Sequence, residues 1–128
     1  MNQEKLIHVA KEMRDKSYAP FSKYTVGASV KTEDGSIIGG CNVESASYGL
    51  TCCAERIALY NTISQGFSKI KAMAVASENG GFPCGACRQV IWELCGDIPI
   101  LIIDNQNKIK ETSSQALLPD AFDKNNLT

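Results

Sequence analysis

The sequence is poor in histidine and contains no long hydrophobic run. His8 is the one histidine, so a metal site built from several imidazoles is excluded. No apolar stretch approaches the roughly 20 residues that a transmembrane helix needs, and the charged N-terminal segment does not resemble a signal peptide. We therefore expect a cytoplasmic protein without a membrane contact, with His8 as an exposed residue.

An excess of charge of either sign is also absent. The chain has 13 basic and 14 acidic residues, which gives a formal net charge of -1. Proteins that bind the phosphate backbone of nucleic acids normally carry clustered positive charge. We therefore expect no nucleic-acid partner and favour a small-molecule ligand.

Six cysteines in 128 residues are compatible with either disulfides or a metal site. Disulfides are typical of exported proteins, and no export signal is evident. Reduced thiols that bind a metal are therefore the favoured interpretation. Three of the six, Cys41, Cys52 and Cys95, are expected to be small buried apolar residues.

Hydrophobic periodicity and turn residues predict an alternation of helices and strands within one domain over residues 1–128. Strands joined through helices favour an α/β fold with helices on both faces of the sheet. The expected elements are a helix over 3–16, strands over 24–32 and 37–42 around an Asp34-Gly35 turn, a helix over 53–65 that Gly66 ends, a strand over 70–76, a helix that Pro83 opens, a strand over 98–103, a segment over 108–112, and a last helical turn capped by Ser113 or Ser114.

Two short cysteine segments carry the strongest chemical signal. Cys84 and Cys87 are spaced so that their sulfurs lie within one helical turn, and Cys53 supplies a third thiolate. Three protein ligands leave one tetrahedral position open, which is typical of catalytic zinc rather than structural zinc. The sequence therefore predicts one zinc ion held by Cys53, Cys84 and Cys87.

Three thiolates would leave such a zinc site with net negative charge, so a compensating cation is expected. Arg56 and Arg88 each lie at a predicted helix start beside a cysteine segment, and either guanidinium could hydrogen-bond a thiolate sulfur. We favour Arg56 for this role. The alternative is an ordinary surface arginine near a helix N-terminus.

The Cys-Ala-Glu segment at 53–55, followed by Pro-Cys-Gly-Ala-Cys-Arg-Gln at 83–89, resembles the small, all-cysteine branch of the cytidine deaminase family. The similarity extends in order through residues 18–28, 40–44, 46–48 and 117–122, so it covers nearly the whole chain. It implies a three-layer α-β-α sandwich around a mixed sheet of about five strands.

This resemblance implies a hydrolase that acts on a cyclic amidine C–N bond. Cytidine and deoxycytidine would become uridine and deoxyuridine with release of ammonia, a step of pyrimidine salvage. As is general for zinc deaminases, Glu55 would take a proton from water that the zinc activates for attack on C4, then protonate N3 and the leaving amine. The alternative for Glu55 is an acid that only complements the helix dipole.

The same resemblance implies the substrate contacts and the assembly. Asn42 and Glu44 would hydrogen-bond the ribose hydroxyls, Tyr24 would pack on the pyrimidine where relatives carry Phe, and Ala54 would line the pocket. Glu44 also argues against a blasticidin-type deaminase. A homotetramer with shared active sites is implied, in which Phe122 closes a pocket on a neighbouring subunit; packing within its own chain is the alternative.

Two other functions stay open from the sequence. A non-catalytic zinc-stabilised scaffold would need a fourth protein ligand, and Glu55 would be incidental. A deaminase could also act on a modified aminopyrimidine or on a base within RNA or DNA, although the charge balance argues against polynucleotides. Ser45 and Phe82 depart from the family pattern at positions expected on the pocket rim.

Overall fold

Five strands form one mixed sheet in the computed structural model, which describes residues 2–127. The strand order is β2-β1-β3-β4-β5, where β3 and β4 run parallel and the other neighbouring strands are antiparallel. The mixed five-stranded sheet confirms the predicted fold class. The strands are β1 (Val26–Thr32), β2 (Ile37–Cys41), β3 (Ile70–Ser77), β4 (Pro99–Ile103) and β5 (Ile109–Ser113).

Helices cover both faces of this sheet, which confirms the three-layer prediction. The helices are α1 (Asn2–Arg14), α2 (Ala54–Ser64), α3 (Gly85–Cys95) and the short α4 (Ser114–Leu117). Leu6 and Ala10 of α1 pack against one face, on Ala74, Ala76, Leu101 and Ile103. The other face packs against α2 and α3 through a larger core that includes Ala58, Leu59, Ile91, Val30, Met73, Val75, Ile100 and Ile102.

The central strands explain why the sequence shows uninterrupted apolar runs. Residues 73–77 of β3 and 100–103 of β4 are buried, because helices cover both sides of the sheet at this point. The edge strand β5 is exposed over residues 109–111, which agrees with its polar sequence. The last helical turn is capped as predicted, since the Ser113 hydroxyl accepts from the backbone N–H of Ala116 at 3.1 Å.

Helix α2 lies unusually close to strand β2 at Gly40. A Cβ atom built on Gly40 would lie 2.4 Å from the backbone nitrogen of Ala58, which is far inside van der Waals contact. Only glycine leaves room for the helix backbone at this distance. This contact fixes the position of the helix that carries Cys53, Glu55 and Arg56 at its N-terminal end.

Several predicted boundaries were wrong by one or two residues. The prediction that Pro83 opens a helix is corrected, because α3 begins at Gly85 and Cys84 is its N-cap residue, with an extended ψ of 169°. Cys53 is likewise the N-cap of α2 and not its first helical residue. The first strand begins at Val26, so Tyr24 lies in the preceding loop. A 3-10 turn at Tyr48–Leu50 was not predicted.

The predictions for the remaining cysteines and for His8 had mixed outcomes. Cys41, Cys52 and Cys95 are only partly buried, which corrects the prediction of buried residues. None of the six cysteines in the described chain is in a disulfide. His8 is exposed as expected and its Nε2 lies 3.5 Å from the Glu12 carboxylate. Within residues 2–127, no helix is long and apolar enough to cross a membrane. The single-domain assignment stays a prediction.

Candidate active site and metal centre

The N-terminal ends of α2 and α3 bring the three predicted cysteine ligands together. Cys53 caps α2, Cys84 caps α3, and Cys87 lies in the first turn of α3; neither cap sulfur accepts a capping hydrogen bond from the backbone of its helix. The sulfurs therefore lie where unpaired backbone N–H groups and the helix dipoles favour thiolates. Along the described chain, these three residues form the one group of three or more His, Cys, Asp or Glu side chains with a spacing suited to a metal ion.

The separations between the sulfurs fit a tetrahedral zinc site. The Sγ atoms of Cys53 and Cys84 are 3.8 Å apart, and those of Cys84 and Cys87 are 3.5 Å apart. Zinc–thiolate bonds of about 2.3 Å at tetrahedral angles require sulfur atoms about 3.8 Å apart. The donor set therefore fits zinc without rearrangement of the backbone. No fourth ligand accompanies these sulfurs among the residues described, as expected for an open site.

The pKa values of Cys53 and Cys87 shift in opposite directions. A hydrogen bond from Cys87 is the main reason that the pKa of Cys53 falls to about 5, and Arg56 contributes to the same shift. The pKa of Cys87 is raised in turn, first by its hydrogen bond to Cys53 and then by burial. The shared hydrogen bond thus favours the thiolate at Cys53 and the thiol at Cys87, and protons on these sulfurs must leave when a metal binds.

The two arginines have different partners. The Nη2 atom of Arg56 donates to the Cys53 sulfur at 3.5 Å, and its pKa is raised chiefly by that bond. Arg88 donates instead to the carbonyl oxygens of Pro83 at 2.6 Å and Leu117 at 3.0 Å. Arg56 thus contacts a predicted ligand, whereas Arg88 joins α3 to the residue before its cap and to the last residue of α4.

Glu55 is a buried carboxylic acid in the first turn of α2. Its side chain is only 5% exposed, and burial raises its pKa to about 7. A carboxyl group with such a pKa can both accept and donate a proton near neutrality. The position combines burial with the dipole of α2, so the dipole alone does not account for placing an acid there.

Cys53, Cys84 and Glu55 border a cavity of about 250 Å³. Its walls come from the loop before β1, the end of β2 and the segment leading to α3. Tyr24, Asn42, Glu44 and Ala54, four of the five predicted substrate-binding residues, line this cavity, and the other lining residues are Ser22, Val26, Thr51, Cys53, Glu55, Val75, Gly81, Phe82 and Cys84. Another cavity, of about 280 Å³, lies between α1 and the ends of β3 and β4 and contains none of the sulfurs.

The buried Asn42 side chain has only donor capacity left for a ligand. Its Oδ1 accepts from the backbone N–H of Val26 at 3.0 Å and from the Ser17 hydroxyl. Its Nδ2 donates to the Tyr24 carbonyl oxygen at 2.8 Å. Because an amide nitrogen carries two hydrogens and the oxygen two lone pairs, one N–H group remains available.

The Glu44 side chain can instead accept a hydrogen bond from a ligand. One carboxylate oxygen accepts from the backbone N–H groups of Phe21 at 3.0 Å and Ser22 at 3.1 Å, and the other accepts from the Ser22 hydroxyl. The Ser22 hydroxyl is the main reason that the pKa of Glu44 is lowered. The carboxylate is therefore ionised and keeps an acceptor position on its second oxygen.

Phe122 lies outside the cavity of its own chain. Its ring is 59% exposed, which argues against the alternative of core packing. The backbone around it is held on α3, because Gln89 donates to the Phe122 carbonyl oxygen at 2.8 Å and Trp92 donates to the Asp123 carboxylate at 3.0 Å.

Comparison with known proteins agrees with this geometry. Residues 1–102 match the family model described as "Cytidine and deoxycytidylate deaminase zinc-binding region". The chain is 45% identical to a cytidine deaminase of Sporosarcina psychrophila, over 100% of this chain and 96% of that protein. It is 44% identical to a cytidine deaminase of Halalkalibacterium halodurans, over 95% of both chains. The chain belongs to the cytidine deaminase family.

A solved structure of a family member has the same fold. The cytidine deaminase of Burkholderia pseudomallei superimposes with a TM-score of 0.91 at 45% sequence identity, over 95% of this chain and 100% of that chain. This neighbour confirms the cytidine deaminase-like sandwich predicted from the sequence. With the family established, the three sulfurs belong to its zinc-binding region.

Sequence reasoning missed two side chains around the cytidine deaminase pocket. Ser22 lines the cavity and donates to Glu44, and Asn79 accepts a hydrogen bond from the Tyr24 hydroxyl at 2.7 Å. Ser22 lies within a matched family segment, which was a usable signal. Asn79 is 55 residues from Tyr24 in sequence, and no local pattern predicts that contact.

Proposed function

We propose that this chain is a zinc-dependent hydrolase that converts cytidine and deoxycytidine, with water, to uridine and deoxyuridine and ammonia. One observation carries the proposal: the buried Glu55 borders the same cavity as Cys53 and Cys84, two members of a three-sulfur site that has no fourth ligand among residues 2–127. The named relatives, all cytidine deaminases, support the choice of substrate class. A scaffold role is disfavoured because a structural zinc usually has four protein ligands.

Cys53, Cys84 and Cys87 would hold the zinc ion. When bound, zinc supplies a Lewis acid that activates water for nucleophilic attack at neutral pH. The hydrogen bond from Arg56 to Cys53 reduces the negative charge of the sulfurs, which would otherwise oppose that activation. Arg56 would thus act through the ligand and not on the substrate.

Glu55 would move the protons of the reaction. Its carboxylate takes a proton from the attacking water as the water oxygen adds to C4 of the pyrimidine, and it delivers a proton to N3. A second transfer through Glu55 then moves a proton from the new hydroxyl group on C4 to the exocyclic amine, so that the C4–N bond breaks, neutral ammonia leaves and C4 becomes the carbonyl carbon of the product. Burial favours the neutral form of Glu55 after it accepts a proton and before it delivers that proton. Its raised pKa of about 7 suits both accepting and donating a proton.

Asn42 and Glu44 would recognise the ribose through the hydrogen-bonding groups that their contacts within the protein leave free. Asn42 can donate one hydrogen bond and Glu44 can accept one, so a sugar hydroxyl group that both nucleosides carry can satisfy both, as acceptor from Asn42 and donor to Glu44. A free base lacks this hydroxyl, and the two buried or half-buried side chains would then lose partners. Tyr24 and Ala54 would form the wall against the pyrimidine.

We further propose a homotetramer in which Phe122 of each chain completes the pocket of a neighbour. The exposed ring on a tail anchored to α3 supports this arrangement. Sedimentation velocity would give a mass four times that of the 13.9 kDa chain if the proposal is right, and a monomer would contradict it. Location in the cytoplasm stays a prediction.

The direct test of the proposed reaction is incubation of zinc-loaded protein with cytidine, deoxycytidine and free cytosine. Loss of the cytidine absorbance, appearance of uridine by chromatography and equimolar ammonia are expected for both nucleosides. Cytosine should react far more slowly, because it cannot contact Asn42 and Glu44. Absence of turnover of either nucleoside by the zinc-loaded protein would refute the proposal.

A further inference from the structure

Tyr24 is joined to the segment that precedes the zinc ligands of α3. Its hydroxyl donates to the Oδ1 atom of Asn79 at 2.7 Å. Tyr24 lines the candidate active-site cavity, whereas the Asn79 side chain does not. The phenol oxygen therefore connects the cavity wall with a residue behind it.

The segment that carries Asn79 is anchored at both ends. The buried Ser77 hydroxyl accepts from the backbone N–H groups of Gly80 at 3.0 Å and Gly81 at 3.2 Å. The backbone N–H of Asn105 donates to the Glu78 carbonyl oxygen at 3.1 Å. A side chain at position 79 is thus presented from a fixed backbone, which makes it a suitable support for a neighbouring ring.

Gly81 gives the Tyr24 phenol the space that this contact needs. A Cβ atom built on Gly81 would lie 2.8 Å from the Tyr24 hydroxyl oxygen and 3.5 Å from the Asn79 Oδ1 atom. Any other residue at position 81 would push the phenol away from Asn79. The hydroxyl is therefore confined between a hydrogen-bond acceptor and a glycine, which limits sideways displacement of the Tyr24 ring.

We propose that Asn79 is a positioning residue that sets affinity for the nucleoside by holding the Tyr24 ring against the pyrimidine. This inference rests on the proposed deaminase function. Asn79 acts on Tyr24 alone, since neither the sulfurs nor Glu55 is its hydrogen-bond partner. Loosening the ring should weaken binding of substrate and transition state equally, which raises KM and leaves kcat nearly unchanged.

A double-substitution cycle tests this proposal on the zinc-loaded enzyme. Asn79→Ala and Tyr24→Phe should each raise KM for cytidine about fivefold, the effect of one lost hydrogen bond, with kcat within about twofold of wild type. The double variant Tyr24→Phe/Asn79→Ala should show no further increase, because both changes remove the same bond. Asn79→Asp retains an acceptor oxygen and should keep KM close to that of wild type.

Asn105→Ala is the matched control, since Asn105 contacts the same segment through its backbone and its exposed side chain lies outside the active-site cavity. It should leave KM and kcat unchanged. The proposal is overturned if Asn79→Ala leaves KM unchanged, if it raises KM equally in the Tyr24→Phe background, or if kcat falls instead. Lack of cytidine turnover by the wild-type enzyme would be a different result, which contradicts the proposed function itself.

Discussion

At the scale of single residues, we expect the positive charge of Arg56 to offset part of the negative charge of the three cysteine ligands. Arg56 donates to the Cys53 sulfur, and the hydrogen bonds from Cys87 and Arg56 keep the Cys53 pKa near 5. Three thiolate ligands would place more negative charge around the ion than its two positive charges neutralise, and a guanidinium at Cys53 reduces that excess. The strength of zinc binding should therefore depend on this guanidinium.

Replacing Arg56 with Gln should weaken zinc binding. Loss of a residue that hydrogen-bonds a metal ligand typically costs about tenfold or more in metal affinity. Arg56→Lys keeps the charge but not the planar donor geometry, so its zinc affinity should fall between those of Arg56→Gln and wild type. Competition with a chromophoric chelator measures all three, and equal affinities would show that Arg56 is not coupled to the sulfurs.

Single residues were predictable where the chemistry depends on short spacing. The two cysteine segments, with Glu55 and Arg56 beside them, could be assigned from the sequence because each segment lies at the start of one helix. The partners of Tyr24 and Glu44 could not, because they depend on how distant loops meet. The same limit applies to Asn42, whose amide was assigned to ribose alone although three of its hydrogen bonds hold residues 17–26.

At the scale of elements, α2 is the helix on which the site depends most. It begins directly after Cys53 and carries Glu55 and Arg56 in its first turn. Its height above the sheet is limited by the contact between Gly40 of β2 and the backbone of Ala58. A change at Gly40 should therefore disturb both stability and the active site.

Gly40→Ala should destabilise the protein by about 2 kcal/mol or more, because the new methyl group would overlap backbone atoms that cannot rotate away. The matched control is Gly49→Ala, where a Cβ atom would meet no atom within 4 Å and stability should change little. Urea denaturation of the two variants measures this difference. Equal stability of both would show that the close approach of α2 to β2 is not required.

Element types were predictable, whereas element ends were less so. Apolar periodicity identified the three long helices and the buried strands correctly, because burial imposes that pattern on the sequence. The predicted helix starts at Cys53 and Pro83 lie one and two residues too early, because Cys53 caps α2, Pro83 precedes the cap of α3, and residues at or just before a cap resemble the first helical residues in sequence. The correction matters chemically, since at the cap positions both sulfurs lie beside the unpaired backbone N–H groups of a helix start.

At the scale of the whole molecule, the sandwich brings two distant segments to one point. Cys53 and Cys84 are 31 residues apart in sequence, yet their sulfurs are 3.8 Å apart. The strand between them, β3, lies in the sheet between β1 and β4, and the helices on either side of it in sequence pack on the same face. The order of helices and strands predicted a layered fold, and the zinc site predicted from Cys53, Cys84 and Cys87 implied that these two helix starts meet.

The proposed deaminase reaction depends on a zinc ion that the three sulfurs hold and on the Glu55 carboxyl group, which moves protons without binding that ion. The most direct test measures zinc content and cytidine turnover on the same preparations of wild-type protein and Glu55→Gln. We expect about one zinc ion per chain in both proteins, with turnover reduced at least about a hundredfold by the substitution. Substantial turnover by Glu55→Gln, or loss of zinc in that variant, would contradict the account.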